Sequence, residues 1–160
     1  MARFDRLAAS VVVLTFAFGC KDSSGPSVNF PELPTQLLAD YCVVGERTVG
    51  QAISSTLSST DCDYGDGSFF EVWRVRVTGS GSYRFAASSS FDNLLAVLRL
   101  DSFTTTTAYL TLVANDDDSG PDFNALIASA SLSPSTDYFL VVNGFGASDT
   151  GPYTISFTKP

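Results

Sequence analysis

Apolar and polar residues alternate one for one along most of this chain, a period of two that predicts strands with one buried face. Trp73, Val75 and Val77 alternate with Arg74, Arg76 and Thr78. Gly79-Ser80-Gly81-Ser82 reads as a turn, after which Tyr83, Phe85 and Ala87 resume the alternation, so a hairpin is expected here. Residues 94–100 are apolar on both faces apart from Arg99, which predicts an inner strand. Residues 109–114 and 126–132 alternate again, Ser133-Pro134-Ser135-Thr136 supplies a turn, and residues 138–142 and 153–157 complete the series. Beyond the N-terminus no segment keeps a helical period. Short strands separated by turn residues, in a chain rich in Thr, Ser, Val, Phe and Tyr, predict an all-β sandwich of about eight antiparallel strands.

The N-terminus has a different pattern. Arg3 and Arg6 precede an apolar run over residues 7–18 that ends at Gly19-Cys20. A membrane helix needs about 20 apolar residues, so the run reads as an export signal over residues 1–19. A small residue before a cysteine resembles the bacterial lipobox, which makes Cys20 the expected lipidation site. The alternative is ordinary cleavage near Gly19 that leaves Cys20 a free thiol. Residues 20–39 then read as a polar, proline-punctuated tether holding a domain over residues 40–160. In an exported chain the two remaining cysteines, Cys42 and Cys62, are expected to pair. The alternative is two separate buried thiols.

Composition narrows the partners. The chain carries 9 basic and 17 acidic residues and no histidine. Without residues 1–19 the balance is 7 against 16, which disfavours nucleic acid, since phosphate binding needs clustered Lys and Arg. The missing histidine rules out Ser-His-Asp and Cys-His chemistry. Paired carboxylates remain, but they crowd into turns without the apolar surroundings that would raise a pKa for hydrolysis.

Taken in order, several short stretches resemble the bacterial pre-peptidase C-terminal domain. Thr48-Val49-Gly50-Gln51-Ala52-Ile53 is similar to its opening strand, Thr60-Asp61-Cys62 to the polar segment after it, and Phe70-Glu71-Val72-Trp73 to its next strand. Phe91-Asp92-Asn93-Leu94-Leu95, Asn115-Asp116-Asp117, Asn124-Ala125-Leu126-Ile127 and Thr150-Gly151-Pro152-Tyr153-Thr154-Ile155 follow in the family's order. Ser135-Thr136 departs from it by standing where a glycine turn is usual, and Trp73 stands where a smaller aromatic is common. The resemblance implies a compact jelly-roll-like sandwich and a non-catalytic accessory role connected with secretion, calcium or attachment to polymers.

The densest set of hard oxygen ligands is Asn115, Asp116, Asp117 and Asp118, with Asp122 close behind. Calcium takes 6–8 such oxygens. The resemblance adds Asp92 as a further ligand. Two other readings stand beside a Ca2+ site: a clasp in which Asp92 accepts backbone N–H groups of the loop, and a solvated turn whose Asx side chains cap their own backbone. Asp61, Asp63 and Asp66 read as a polar turn rather than a second metal loop. Phe69, Phe103, Phe123 and Phe145 fall in loop-like sequence, either as plugs for the sandwich ends or as exposed contacts for sugar rings or a protein.

The function expected is a non-catalytic binding or adhesion module, anchored by lipid at the outer membrane or cell surface, whose partner is a polysaccharide or protein polymer. A secreted or periplasmic soluble form is the alternative location. The other function classes are an assembly partner of an exported peptidase or envelope complex and, remotely, a small hydrolase.

Overall fold

The computed structural model describes residues 33–34, 42–64, 66–103 and 107–160. The export signal, Cys20 and most of the expected tether lie outside them. Two sheets face each other. The strands are β1 (Leu33–Pro34), β2 (Val43–Thr48), β3 (Ile53–Leu57), β4 (Cys62–Asp63), β5 (Phe69–Arg76), β6 (Gly81–Ser89), β7 (Asn93–Phe103), β8 (Thr107–Asp116), β9 (Leu126–Leu132), β10 (Tyr138–Gly144) and β11 (Gly151–Thr158). The larger sheet runs β1-β8-β7-β10-β5-β2, with β4 also on β5, and the smaller runs β3-β11-β6-β9. The all-β sandwich is therefore as expected, with more strands than eight. Two of the additions, β1 and β4, are two residues long.

Three details differ from expectation. The hairpin predicted from residues 73–87 does not form: β5 pairs with β10, β2 and β4, while β6 pairs with β11 and β9 in the other sheet. Alternation identifies which residues face the core and is silent on which sheet carries them. Trp73 and Val75 meet Tyr83 and Phe85 within one core, from opposite sides of it. The stretch 48–53 is not a continuous strand either. It turns at Gly50, whose φ of 89° suits glycine, and carries the chain from the larger sheet to the smaller. The antiparallel pattern also has one exception, since β2 runs parallel to β5.

β7 is the inner strand that its two apolar faces predicted, lying between β8 and β10. Leu95 and Val97 face the main core, and Ala96 and Leu98 belong to a second apolar cluster with Phe70, Val72, Phe139 and Val141. The main core is built on Ile53, Phe85, Leu140, Ile155 and Phe157, all essentially inaccessible to water. Phe85 and Phe157 stack with centroids 4.6 Å apart.

Cys42 and Cys62 form the expected disulfide, Cα to Cα 5.6 Å. β4 and β2 lie one after the other along the same edge of β5, at Phe69–Phe70 and Val72–Arg76 respectively. The bridge thus staples both short edge segments to the sheet. Closing a loop of about 20 residues contributes roughly 3 kcal/mol.

Candidate functional site

Strand direction brings four connections to one end of the sandwich. β7 begins where β8 and β10 finish, because Leu95 pairs with Asp116 and Asn93 with Gly144. β6 ends and β11 begins at that same end, with Tyr153 opposite Ser89. The β6–β7, β8–β9 and β10–β11 loops therefore lie side by side, next to the segment that joins β3 to β5.

Two buried asparagines lock these loops together. The Asn93 Nδ2 donates to Asn124 Oδ1 at 2.7 Å and to Ser89 Oγ at 2.9 Å. The Ala125 N–H donates to Asn93 Oδ1 at 3.1 Å, and the Ser89 N–H to Asn124 Oδ1 at 2.7 Å. Asn124 also donates through Nδ2 to the Pro121 carbonyl at 3.1 Å. Both asparagines are almost fully buried. Amides rather than carboxylates suit this place, since each supplies donors and an acceptor without a buried charge.

Asp116 adds to the same clasp. β alternation turns its side chain toward the inside of the sandwich, where Oδ2 accepts from the Ser119 N–H at 3.0 Å and the Leu126 N–H at 2.7 Å. Asn115, one residue earlier, is exposed and falls on the alternate face of β8. Asp117 accepts from the adjacent Asp118 N–H at 2.9 Å. Asp122 is exposed in a short 3-10 turn, Pro121–Phe123, with a left-handed φ of 56°. The turn closes tightly: a Cβ on Gly120 would lie 2.4 Å from the Asn124 carbonyl oxygen.

Asp92 has a different environment. Its Oδ1 is buried and has no hydrogen-bond partner among the described residues, so that oxygen does not accept the loop N–H groups that one reading expected. Burial, and then the negative charges of Asp118, Asp149 and Asp117, push its carboxyl above the ordinary range. The structure thus gathers Asp92, Asp117 and Asp118 of the expected ligand set and adds Asp149, which sequence reasoning missed. Among the described residues no three carboxylates already converge into a metal cage. The orphaned Asp92 Oδ1 is the one observation at this end that a hard cation would answer.

A second missed group lies between the sheets. Glu71 is almost fully buried, accepts from Ser55 Oγ at 3.0 Å and also accepts from the Tyr153 hydroxyl. Trp73 Nε1 donates to the Tyr153 oxygen at 2.7 Å. Burial raises the Glu71 carboxyl above its ordinary value despite these donors. The Asp61, Asp63 and Asp66 segment is a set of capped turns: Asp61 accepts from the Ser58 N–H at 2.6 Å, Asp63 from the Gly67 N–H at 3.3 Å, and Asp66 from the Ser68 N–H at 2.9 Å.

Charge is segregated along the sandwich. Asp92, Asp117, Asp118, Asp122 and Asp149 lie at the clasped end, as does the capped segment containing Asp61 and Asp66. Among the described residues every cation lies toward the opposite end: Arg47, Arg74, Arg76, Arg84, Arg99 and Lys159. The ion pairs between described residues are there too, Glu46 with Arg74 and Arg76, Asp137 with Arg76 at 2.8 Å, and Asp101 with Arg99 at 2.6 Å.

The fold has solved counterparts. The chain is similar to the pre-peptidase C-terminal domain of a collagenase from Bacillus anthracis, with a TM-score of 0.52, 13% identity, and coverage of 72% of this chain and 96% of that one. It is similar as well to CorA, a surface-associated copper-binding protein of Methylomicrobium album BG8, with a TM-score of 0.51, 8% identity, and coverage of 74% and 99%. The class of structure is thus the sandwich of a pre-peptidase C-terminal domain, and at these identities the likeness is one of fold. No protein-family model and no curated protein matches the chain.

Proposed function

We propose that this protein is a non-catalytic binding module of the cell envelope that uses the clasped loop end as its working surface. The observation that carries the reading is the construction of that end: three loops from both sheets, cross-linked by Asn93 and Asn124, that hold Phe123 and Phe145 out in solvent. The likeness to an accessory domain of a collagenase and to a surface-associated protein supports both the binding role and an extracellular location. The Cys42–Cys62 disulfide suits an oxidising compartment, and Gly19-Cys20 supplies a lipid attachment point. Pull-downs of the full chain against polysaccharides and protein polymers test the reading; uniform failure to bind removes it.

Calcium is the second element of the proposal. Asp92, Asp117, Asp118 and Asp149 would hold the ion, which would offset the burial and the neighbouring negative charges that together raise Asp92. A cation bound only by the folded state stabilises by mass action, about 2.7 kcal/mol at one hundred times its Kd. The melting temperature of chelator-treated protein should therefore rise on adding millimolar Ca2+, and Asp92→Asn should remove that rise. An unchanged melting temperature in the native chain leaves only the hydrogen-bonded clasp.

The collagenase neighbour favours one further reading, an assembly partner for an exported peptidase. Co-purification of a peptidase with the protein from its native envelope would replace the polymer-binding reading.

A further inference from the structure

We infer that the clasped end docks a basic polypeptide segment, one in which Lys or Arg side chains alternate with aromatic or aliphatic ones. This deepens the binding-module reading and rests on it. The first observation is exposure. Phe123 is 70% and Phe145 53% accessible, far from the plugs that loop phenylalanines usually make. The fold spends local strain on this display, because Phe123 itself adopts a left-handed φ of 59° directly after Asp122 at 56°.

Position is the second observation. The Phe145 N–H donates to the Asp92 carbonyl at 3.0 Å, and Phe123 adjoins Asn124, which is bonded to Asn93. The two phenyl-bearing residues are thus carried on either side of the Asp92-Asn93 dipeptide. Asp149 lies in the same turn as Phe145, its Oδ2 accepting from the Gly146 N–H at 2.7 Å, and Asp117 and Asp118 follow Asp116, which pairs with Leu95 just beyond the dipeptide.

Both kinds of group prefer the same partner. Carboxylates attract ammonium and guanidinium groups, and a phenyl face takes a cation or the aliphatic stem that carries it. A site for a neutral surface would not need the charge, and a site for an anion would be opposed by it. The segregation of every described Lys and Arg to the far end leaves this field without internal compensation among the described residues, which favours steering of a cationic chain. A second copy docking by its Arg-rich end is the competing occupant. The net charge of −8 sets two whole molecules against each other and argues for a partner of opposite overall sign.

The probes that test this are a lysine–tyrosine copolymer, a glutamate–tyrosine copolymer of the same length and an uncharged polysaccharide, each titrated onto the full chain without Ca2+ and then with it. The ion competes for the same carboxylates and should weaken binding of the cationic copolymer. The lysine–tyrosine copolymer should bind, and the affinity should fall steeply between low and physiological salt. Phe123→Ala with Phe145→Ala should weaken it about tenfold, as removal of two central contacts does. Asp117→Asn with Asp118→Asn should weaken it too and flatten the salt dependence. Arg84→Ala, at the far end, should change neither. Circular dichroism of each variant checks that the fold is retained. Undiminished binding in both loop variants overturns the inference, because the contact is then elsewhere. Binding of the polysaccharide alone overturns it while leaving the binding-module reading intact, and binding of no polymer at all removes both. Concentration-dependent self-association that salt reverses and the loop variants abolish would assign the surface to a second copy and overturn it as well.

Discussion

The two ends of this sandwich solve the same problem in different ways. At the Arg-rich end, exposed carboxylates and guanidinium groups pair on and between neighbouring strands, and the turns are tied by single side-chain bonds such as Lys159 Nζ to the Ser80 carbonyl. At the acidic end no described cation is present, so the loops are held by neutral amides and by backbone N–H groups donated to Asp116. Surface ion pairs contribute about 0–1 kcal/mol each, whereas a buried polar network loses the desolvation energy of every group left without a partner. The acidic end is thus the more rigidly specified of the two although its charges repel. It keeps its side chains available because its backbone is secured by other means.

The largest effect should follow from removing the staple beside the acidic end. Cys42→Ala with Cys62→Ala should lower the unfolding free energy by about 3 kcal/mol, read from the urea midpoint. A loss below about 1 kcal/mol would show that β4 and β2 hold β5 without help. Next comes Asn93→Leu, which keeps the branched shape but strands the Ala125 N–H and takes one donor from Asn124 Oδ1; about 1–3 kcal/mol should be lost. A near-neutral result would mean that water replaces the amide, and the contrast between the ends would weaken.

A smaller, signed effect belongs to Glu71. Its folded carboxyl lies above the ordinary value of 4.5, so the stability it contributes is fully present below about 4.5 and is lost as pH rises through the raised value. Asp92 is raised as well and acts in the same direction. Glu71→Gln should therefore flatten the rise of melting temperature on mild acidification, and an unchanged pH profile would assign that rise to the surface carboxylates. The smallest effect is expected for Arg76→Ala at the paired end, within about 1 kcal/mol. A loss as large as that of Asn93→Leu would erase the distinction.

How much of this was legible depended on whether the cause was local. Alternation identified Trp73, Val75, Tyr83 and Phe85 as core residues, and two apolar faces placed β7 inside its sheet. The pairing of Cys42 with Cys62 was legible from export and from their number. What alternation could not hold was sheet membership, and the expected hairpin over residues 73–87 became a crossing between sheets for that reason. Asn93 and Asn124 stood inside the family-like stretches, yet their roles depend on contacts 31 residues apart in the chain. A faint signal existed, since each asparagine directly precedes an apolar run, Asn93 at the start of β7 and Asn124 two residues before β9. Ser135 shows the reverse case: it stands where the family uses a glycine turn, and it adopts a left-handed φ of 67° as a serine.

β1 pairs with the first residues of β8, so the chain enters the sheet at the Arg-rich end, and β11 brings the C-terminus to that end as well. The molecule is in effect a dipole with its positive pole at the end where β1 and the C-terminus lie. Were the proposed lipid anchor to hold it near an anionic bilayer, the surface potential would turn it, with the arginines toward the headgroups and the acidic loops outward, over roughly a Debye length of 8 Å. Orientation would then come from the charge layout of the sandwich, with no rigid linker required to aim it.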